Sequence, residues 1–163
     1  MARQRPPRLD DLDRKLLDLL QENADRSLYA LGDAVGLSPS AVQRRLKRYR
    51  SSRLIARQIA VLDPQAVPGT VLACVLVTLE RESQRQHTSF KERMIAAAEV
   101  QQCYDLAGEW DYLVIVVASS MARCRTVIDR LFLDAPNLKR YDTLFIFDTV
   151  KSGLKIPLRQ RRP

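Results

Sequence analysis

The chain is poor in the residue types on which most site chemistry rests. Its 163 residues hold one histidine (His87), three cysteines (Cys74, Cys103 and Cys124), one tryptophan and five glycines. One histidine and widely scattered thiols give neither the spacing of a metal site nor a Cys–His nucleophile pair, so no metal and no cofactor is expected. An odd number of dispersed cysteines also excludes a disulfide framework and fits reduced thiols in the cytoplasm. Gly69, Gly108 and Gly153 form no phosphate-cradling loop with a lysine behind it. His87 falls in the polar lead of a predicted helix and reads as a solvated surface residue rather than a base. No apolar run approaches the roughly 18 residues of a membrane helix, and the N-terminus lacks the apolar core of a signal peptide. An enzyme, a secreted protein and a membrane protein are all disfavoured.

The most informative absence is of one sign of charge. No acid occurs between Asp33 and Asp63, while Arg44, Arg45, Lys47, Arg48, Arg50, Arg53 and Arg57 all do. Residues 1–62 carry 13 bases and 7 acids, residues 63–154 carry 10 bases and 12 acids, and the last nine residues add four bases. A basic N-terminal module therefore precedes a near-neutral one and a basic tail, and the partner of the first module is a polyanion.

Within the basic module, Gly36-Leu37-Ser38-Pro39-Ser40 reads as the tight turn of a helix-turn-helix. Gly36 suits a left-handed helix end, Ser38 is a natural N-cap, and Pro39 at the first helical position loses no hydrogen bond. At one hundred degrees per residue, Val42, Leu46 and Tyr49 share a buried face, with Ser40, Arg44, Lys47 and Arg48 opposite. A helix with an apolar back and an unneutralised basic front suits the DNA major groove. Ser38, Ser40, Ala41, Gln43, Arg44, Arg45, Lys47 and Arg48 are the candidate DNA-contacting residues, and double-stranded DNA is the expected partner.

The remaining pattern frames this helix. Residues 1–8 read as a disordered basic arm. Asp10 caps a helix to about Glu22 with an apolar stripe of Leu9, Leu12, Leu16, Leu19 and Leu20. Ser27 caps a second helix that Gly36 closes; Gly32 inside it suggests a close helix crossing. Residues 56–62 alternate like a wing strand, and 63–69, with Pro64, Pro68 and Gly69, form a linker. The helix-turn-helix module thus spans 9–62.

From residue 70 the rhythm changes. Strands are expected at 70–79, 100–107, 110–118 and 138–150, and helices at 84–98 and 120–133. The helices turn Phe90, Met94, Ile95 and Ala98, and Met121, Cys124, Val127, Ile128 and Leu131, inward. The order β-α-β-β-α-β is the ferredoxin-like arrangement, so residues 70–154 form an α+β domain and 155–163 a basic tail. Two helices cover one face of such a sheet, yet both faces of the first and third strands are apolar. A bare apolar face needs a cover, and a second copy of the chain through Val75, Val77 and Ile115 or the neighbouring set would supply it.

Taken together these residues resemble the Lrp/AsnC family, the feast-or-famine regulators of bacteria and archaea. The resemblance rests on Leu9-Asp10, Asp13 to Leu17, Val35 to Ser38 and Val42 to Leu46, and on Ala107-Gly108-Glu109-Trp110-Asp111-Tyr112-Leu113. It covers about residues 8–155. It implies a winged helix-turn-helix joined to a ferredoxin-like effector domain, and homodimers extending to tetramers or octamers. It also implies an amino acid or similar small effector at a subunit interface and a nucleoid-associated regulator. Tyr112, Met121, Leu144, Phe145 and Ile146 match positions that line the family's effector pocket, with core packing an equal reading of each. Asp111 reads two ways, as a turn residue bonding backbone amides or, with Gly108 letting a ligand approach, as a holder of the ligand's ammonium. Two positions depart from the family pattern: Arg50 replaces an acid, and Arg53 replaces the glycine of a left-handed turn, which points to a turn of different shape. The alternatives are an architectural DNA-binding protein with little ligand response, and a small-molecule enzyme with a basic appendage.

Overall fold

The computed structural model describes residues 8–158 apart from Glu82 and Asp134, and only the backbone of Gln65. Of the expected N-terminal arm, residues 1–7 lie outside the described residues. The chain divides into two compact units: residues up to Val61 together with those from Ser152 onward, and Leu62–Lys151. The C-terminal segment therefore belongs to the helical unit although it comes after the sheet unit in sequence.

In the helical unit, α1 (Asp11–Glu22) starts at a reciprocal capping box. The Asp10 carboxylate accepts from Asp13 N at 2.7 Å, and the Asp13 carboxylate accepts from Asp10 N at 3.1 Å. Ser27 caps α2 (Leu28–Val35) by accepting from Ala30 N, and Gly36 ends it at φ 72°. Helix α3 (Pro39–Ser51) begins at the Ser38 cap with Pro39 in its first turn. Leu16, Leu17, Leu31, Val42, Leu46 and Tyr49 form the core of the unit. Burying six such side chains contributes on the order of 10 kcal/mol before the conformational entropy cost is subtracted.

Four local expectations change. The inner stripe of α1 runs through Asp13, Leu16 and Leu17 rather than through Leu12. Gly32 faces the turn and not a crossing helix: a β-carbon there would lie 2.4 Å from the Leu37 carbonyl oxygen, and Leu37 N donates to Gly32 O. The wing strand is not formed. Residues 56–63 carry no ladder, because a strand needs a second edge and every described strand belongs to the other unit. Arg53 does adopt the left-handed conformation, at φ 55°, so the turn after α3 keeps its shape at a cost of about 1–2 kcal/mol. Ile55 N then reaches back to Tyr49 O, and Leu54 and Ile55 pack against the helical core.

The second unit begins with β1 (Val71–Leu79) and α4 (Gln84–Ala96), then β2 (Val100–Asp105) and β3 (Tyr112–Ala118). It ends with α5 (Met121–Ile128), a wider π-helical turn at Asp129–Leu133, and β4 (Leu138–Ile146). The antiparallel sheet has the order β2-β3-β1-β4, the ferredoxin-like topology. Several ends fall short of expectation: α4 stops at Ala96, β3 starts at Tyr112 and β4 stops at Ile146. Ile95 and Met121 point to solvent rather than inward, and Ala97 takes the core position after Met94.

Strand register decides which side chains share a face. Cys74 pairs with both Ile115 and Leu144, while Val75 pairs with Val114 and Thr143. Ala73, Val75 and Val77 therefore point with Val114 and Val116 into the helix-covered core, all fully buried. Leu72, Cys74 and Leu76 of β1 share the other face with Leu113, Ile115 and Val117 of β3 and with Leu144 and Ile146 of β4. The self-association surface read from the sequence as Val75, Val77 and Ile115 is thus corrected. A period of two places Val75 and Val77 opposite Ile115, and the uncovered face is the neighbouring set.

Candidate nucleic-acid interface

The outward face of α3 is built by what its inward face must do. With Val42, Leu46 and Tyr49 buried, helical geometry turns Ser40, Gln43, Arg44 and Lys47 to solvent, and all four are exposed. Ser38 stands at the helix start, where its hydroxyl accepts from Ala41 N at 3.3 Å and lies 3.1 Å from Ser40 Oγ. Part of its hydrogen-bonding capacity is committed to capping.

The flank toward α1 carries the site's strongest electrostatics. Asp13 is 1% exposed. Its Oδ1 accepts hydrogen bonds from Arg45 Nη1, Arg48 Nη2 and the Tyr49 hydroxyl. Arg45 Nη1 also donates to Asp10 Oδ2 at 2.9 Å. Burial by itself would raise the Asp13 pKa. The Tyr49 hydroxyl, the Asp10 amide and the two guanidiniums outweigh it and hold the carboxyl below its ordinary value. The same burial, with Asp13 as acceptor, pushes the Tyr49 phenol upward.

This node engages two of the candidate DNA-contacting residues. The Arg45 guanidinium is half-buried in the α1–α3 seam between two aspartates. Arg48 is half exposed but already paired with Asp13. Asp13 was missed as a site residue. The available signal was an acid at the position three and four residues before Leu16 and Leu17, where a helix stripe is normally apolar.

The candidate effector residues do not gather at one place within this chain. Gly108 lies in the exposed turn between β2 and β3. Asp111 closes that turn: its Oδ2 accepts from Leu79 N at 2.7 Å, its amide donates to Val77 O, and its carbonyl accepts from Leu106 N. Trp110 beside it is covered by the Arg140 guanidinium, 3.9 Å from the ring centroid. Tyr112 takes a core position, fully buried against Phe90, with its hydroxyl 2.6 Å from His87 Nδ1. His87 is accordingly half-buried and bonded rather than solvated. Met121 and Phe145 line an open groove of about 420 Å³ between α5 and β4, with Ala122, Arg125, Ile128, Tyr141 and Thr143. Leu144 and Ile146 stand on the opposite, uncovered face of the sheet.

A capped three-helix unit with an exposed cationic third helix, and after it a ferredoxin-like α+β unit, defines the class of DNA-binding transcription regulators with a ligand-sensing domain. Residues 9–50 match the AsnC-type helix-turn-helix domain, and residues 72–156 match the Lrp/AsnC ligand binding domain. The chain belongs to the Lrp/AsnC family of DNA-binding transcriptional regulators, which are not enzymes. It is 35% identical to the uncharacterized HTH-type transcriptional regulator y4tD of Sinorhizobium fredii, over 92% of this chain and 89% of that protein. It is 32% identical to the DNA-binding transcriptional activator DecR of Escherichia coli, over 92% of this chain and 99% of that one. It is similar in structure to a Neisseria meningitidis transcriptional regulator solved in complex with L-Met. That likeness has a TM-score of 0.83 and 30% identity, over 93% of this chain and 97% of that one. Among the described residues no helix is long and apolar enough to cross a membrane.

Because the folded-state pKa of Asp13 lies below its unfolded value, its contribution is complete above about pH 4 and is lost as the pH falls through the folded-state value. Asp13→Asn should cost about 2 kcal/mol at pH 7, and the gap between the two melting curves should narrow progressively as the pH falls below about 4. Circular dichroism melts across that range check this. A gap independent of pH would mean that charge is not what the carboxylate supplies.

Proposed function

We propose that the chain reads its operator with Ser40, Gln43, Arg44 and Lys47 of α3 in the major groove. Ser38, Ala41 and Arg48 lie at the margin, and Arg45 acts only by holding the helix. It works in the cytoplasm on the nucleoid as a homodimer or a larger assembly, and an amino acid bound near a subunit interface modulates it. The observation that carries the DNA reading is the exposed, unneutralised set Arg44 and Lys47 on a helix whose Arg45 and Arg48 are paired with Asp13. The dimer reading rests on the uncovered face of Leu72, Cys74, Leu76, Leu113, Ile115, Val117, Leu144 and Ile146, which a second copy would cover. The effector reading is supported by the L-Met named with the Neisseria meningitidis relative. In this reading Gly108, Asp111 and the Met121–Phe145 groove supply separate parts of a pocket completed between subunits, with Leu144 and Ile146 at the subunit contact.

Arg44 occupies the middle of the outward face. Arg44→Ala should cost about 1–3 kcal/mol on a site selected from a randomised duplex pool and much less on random DNA. Equal losses on both would reassign Arg44 to phosphate contact.

Ile115→Lys places a charge at the centre of the uncovered sheet face. Sedimentation should show dimers or larger species for the unsubstituted chain and folded monomers for the variant at micromolar concentration. A monomeric parent chain would remove the dimer reading.

Asp111→Asn keeps an acceptor for Leu79 N while removing the charge. It should melt close to the parent, still bind DNA, and bind the effector amino acid at least tenfold more weakly. L-Met and the other amino acids are titrated against the fluorescence of Trp110, the only tryptophan of the chain. Unchanged affinity would leave Asp111 as a turn residue alone.

A further inference from the structure

The chain leaves α3 through a turn that packing requires and that the residue in it resists. Arg53 N donates to Arg50 O at 3.1 Å, and Ile55 N reaches back to Tyr49 O at 3.2 Å. This reversal lets Leu54 and Ile55 pack against the helical core. It runs through a left-handed residue, Arg53 at φ 55°. Glycine would adopt that conformation without the clash of β-carbon and carbonyl that arginine incurs. Asn137, left-handed at φ 66°, spends its side chain on the backbone of Arg81. The Arg53 side chain does nothing comparable. It is exposed, and it enters none of the ion pairs among the described residues. Packing explains the turn but not the arginine.

Its neighbours carry the same sign. Arg50, three residues beyond Lys47 and so next to it on the helix surface, is exposed, as is Arg57. Arg50 Nη2 donates to Gln58 Oε1 at 3.2 Å, which holds the stretch around Gln58 beside the end of α3. Arg57, like Arg53, enters none of the ion pairs among the described residues. With no acid between Asp33 and Asp63, these three arginines continue the free charge of Arg44 and Lys47 past the helix end. The dipole of α3 draws cations to its C-terminus, but that attraction fades within one turn, where Arg48 and Arg50 already stand. It does not account for Arg57.

We propose that Arg50, Arg53 and Arg57 form a phosphate grip beside the groove-reading face of α3, and that the strained turn keeps its arginine because that guanidinium binds the DNA backbone. The grip depends on the chain's binding DNA through α3 and lies outside the set that reads bases. Arginine suits the task, because its planar fork matches phosphate oxygens and its charge persists at any working pH. Contacts of this kind fix register and add affinity without sequence preference. A sparsely populated backbone conformation is retained at a functional position when the rest of the structure over-determines it. Here the packing of Leu54 and Ile55 does so.

Arg53→Gly in the full chain removes the charge and relieves the strain together. It should raise the melting temperature by about 4–8 °C and yet bind random-sequence duplex and a selected site more weakly, by a similar factor. Measured between about 50 and 200 mM salt, its slope of log affinity against log salt should be smaller by about 0.9 for each chain engaged. Arg57→Ala should lower the slope by a similar amount, whereas Arg53→Lys, which keeps the charge, should retain the parent slope. A more stable Arg53→Gly chain with the parent's slope would overturn the grip, as would an equal loss of slope in Arg53→Lys. A melting temperature at or below the parent's would overturn the part played by strain. Arg44→Ala weakening the selected site while Arg53→Gly is silent would remove the grip alone. A parent chain indifferent to DNA would remove the α3 reading as well.

Discussion

The Asp13 carboxylate is the only charged side chain buried among the described residues, and the aim of α3 depends on it. An uncompensated carboxylate at that depth would cost several kcal/mol. Arg45, Arg48 and the Tyr49 hydroxyl, all on α3, satisfy it together with the amide of Asp10. Apolar packing of Val42 and Leu46 fixes how close α3 lies to its neighbours but tolerates rotation by a fraction of a turn. Three directed, charge-assisted bonds to one oxygen tolerate far less. The node thereby turns Ser40, Gln43, Arg44 and Lys47 outward and draws Arg45 into the α1–α3 seam.

The two units solve different problems with different physics. The helical unit is small, gathers the chain's positive charge and stays compact through caps at Asp10, Ser27 and Ser38 around a modest core. The sheet unit carries a slight negative balance and a larger core, and one of its faces is left uncovered by the unit's own described helices. A surface with surplus charge recruits a polyanion by long-range attraction, whereas an apolar face recruits a partner by area and shape. Dividing the two between units lets one chain present both. Coupling between them, where an effector acts, is limited to the difference in that ligand's affinity for the alternative assemblies.

Legibility differed between the ends of elements and their faces. The caps at Asp10, Ser27, Ser38 and Gly36 and the β-α-β-β-α-β order could be read from single residues and short patterns, because capping and turn conformation are local. Faces were less secure. On α1 the leucine-rich pattern admitted two stripes one position apart, and only the donors of α3 made the one containing Asp13 favourable. The wing at 56–62 had the alternation of a strand but no edge to join. Tyr112 and Asp111 are adjacent in a motif that resembles a ligand site, yet one is sealed beneath α4 and the other is bonded to the end of β1.

The sequence by itself determined the two-unit plan, the charge asymmetry, the helix-turn-helix and the family, since composition, period and capping chemistry act over a few residues. Tertiary structure alone decided which arginines of α3 remain free, which apolar face of the sheet is uncovered, and that the C-terminal segment returns to α1. Each of these is a contact between residues more than 30 positions apart. Only the folded chain brings a donor from one to an acceptor on the other.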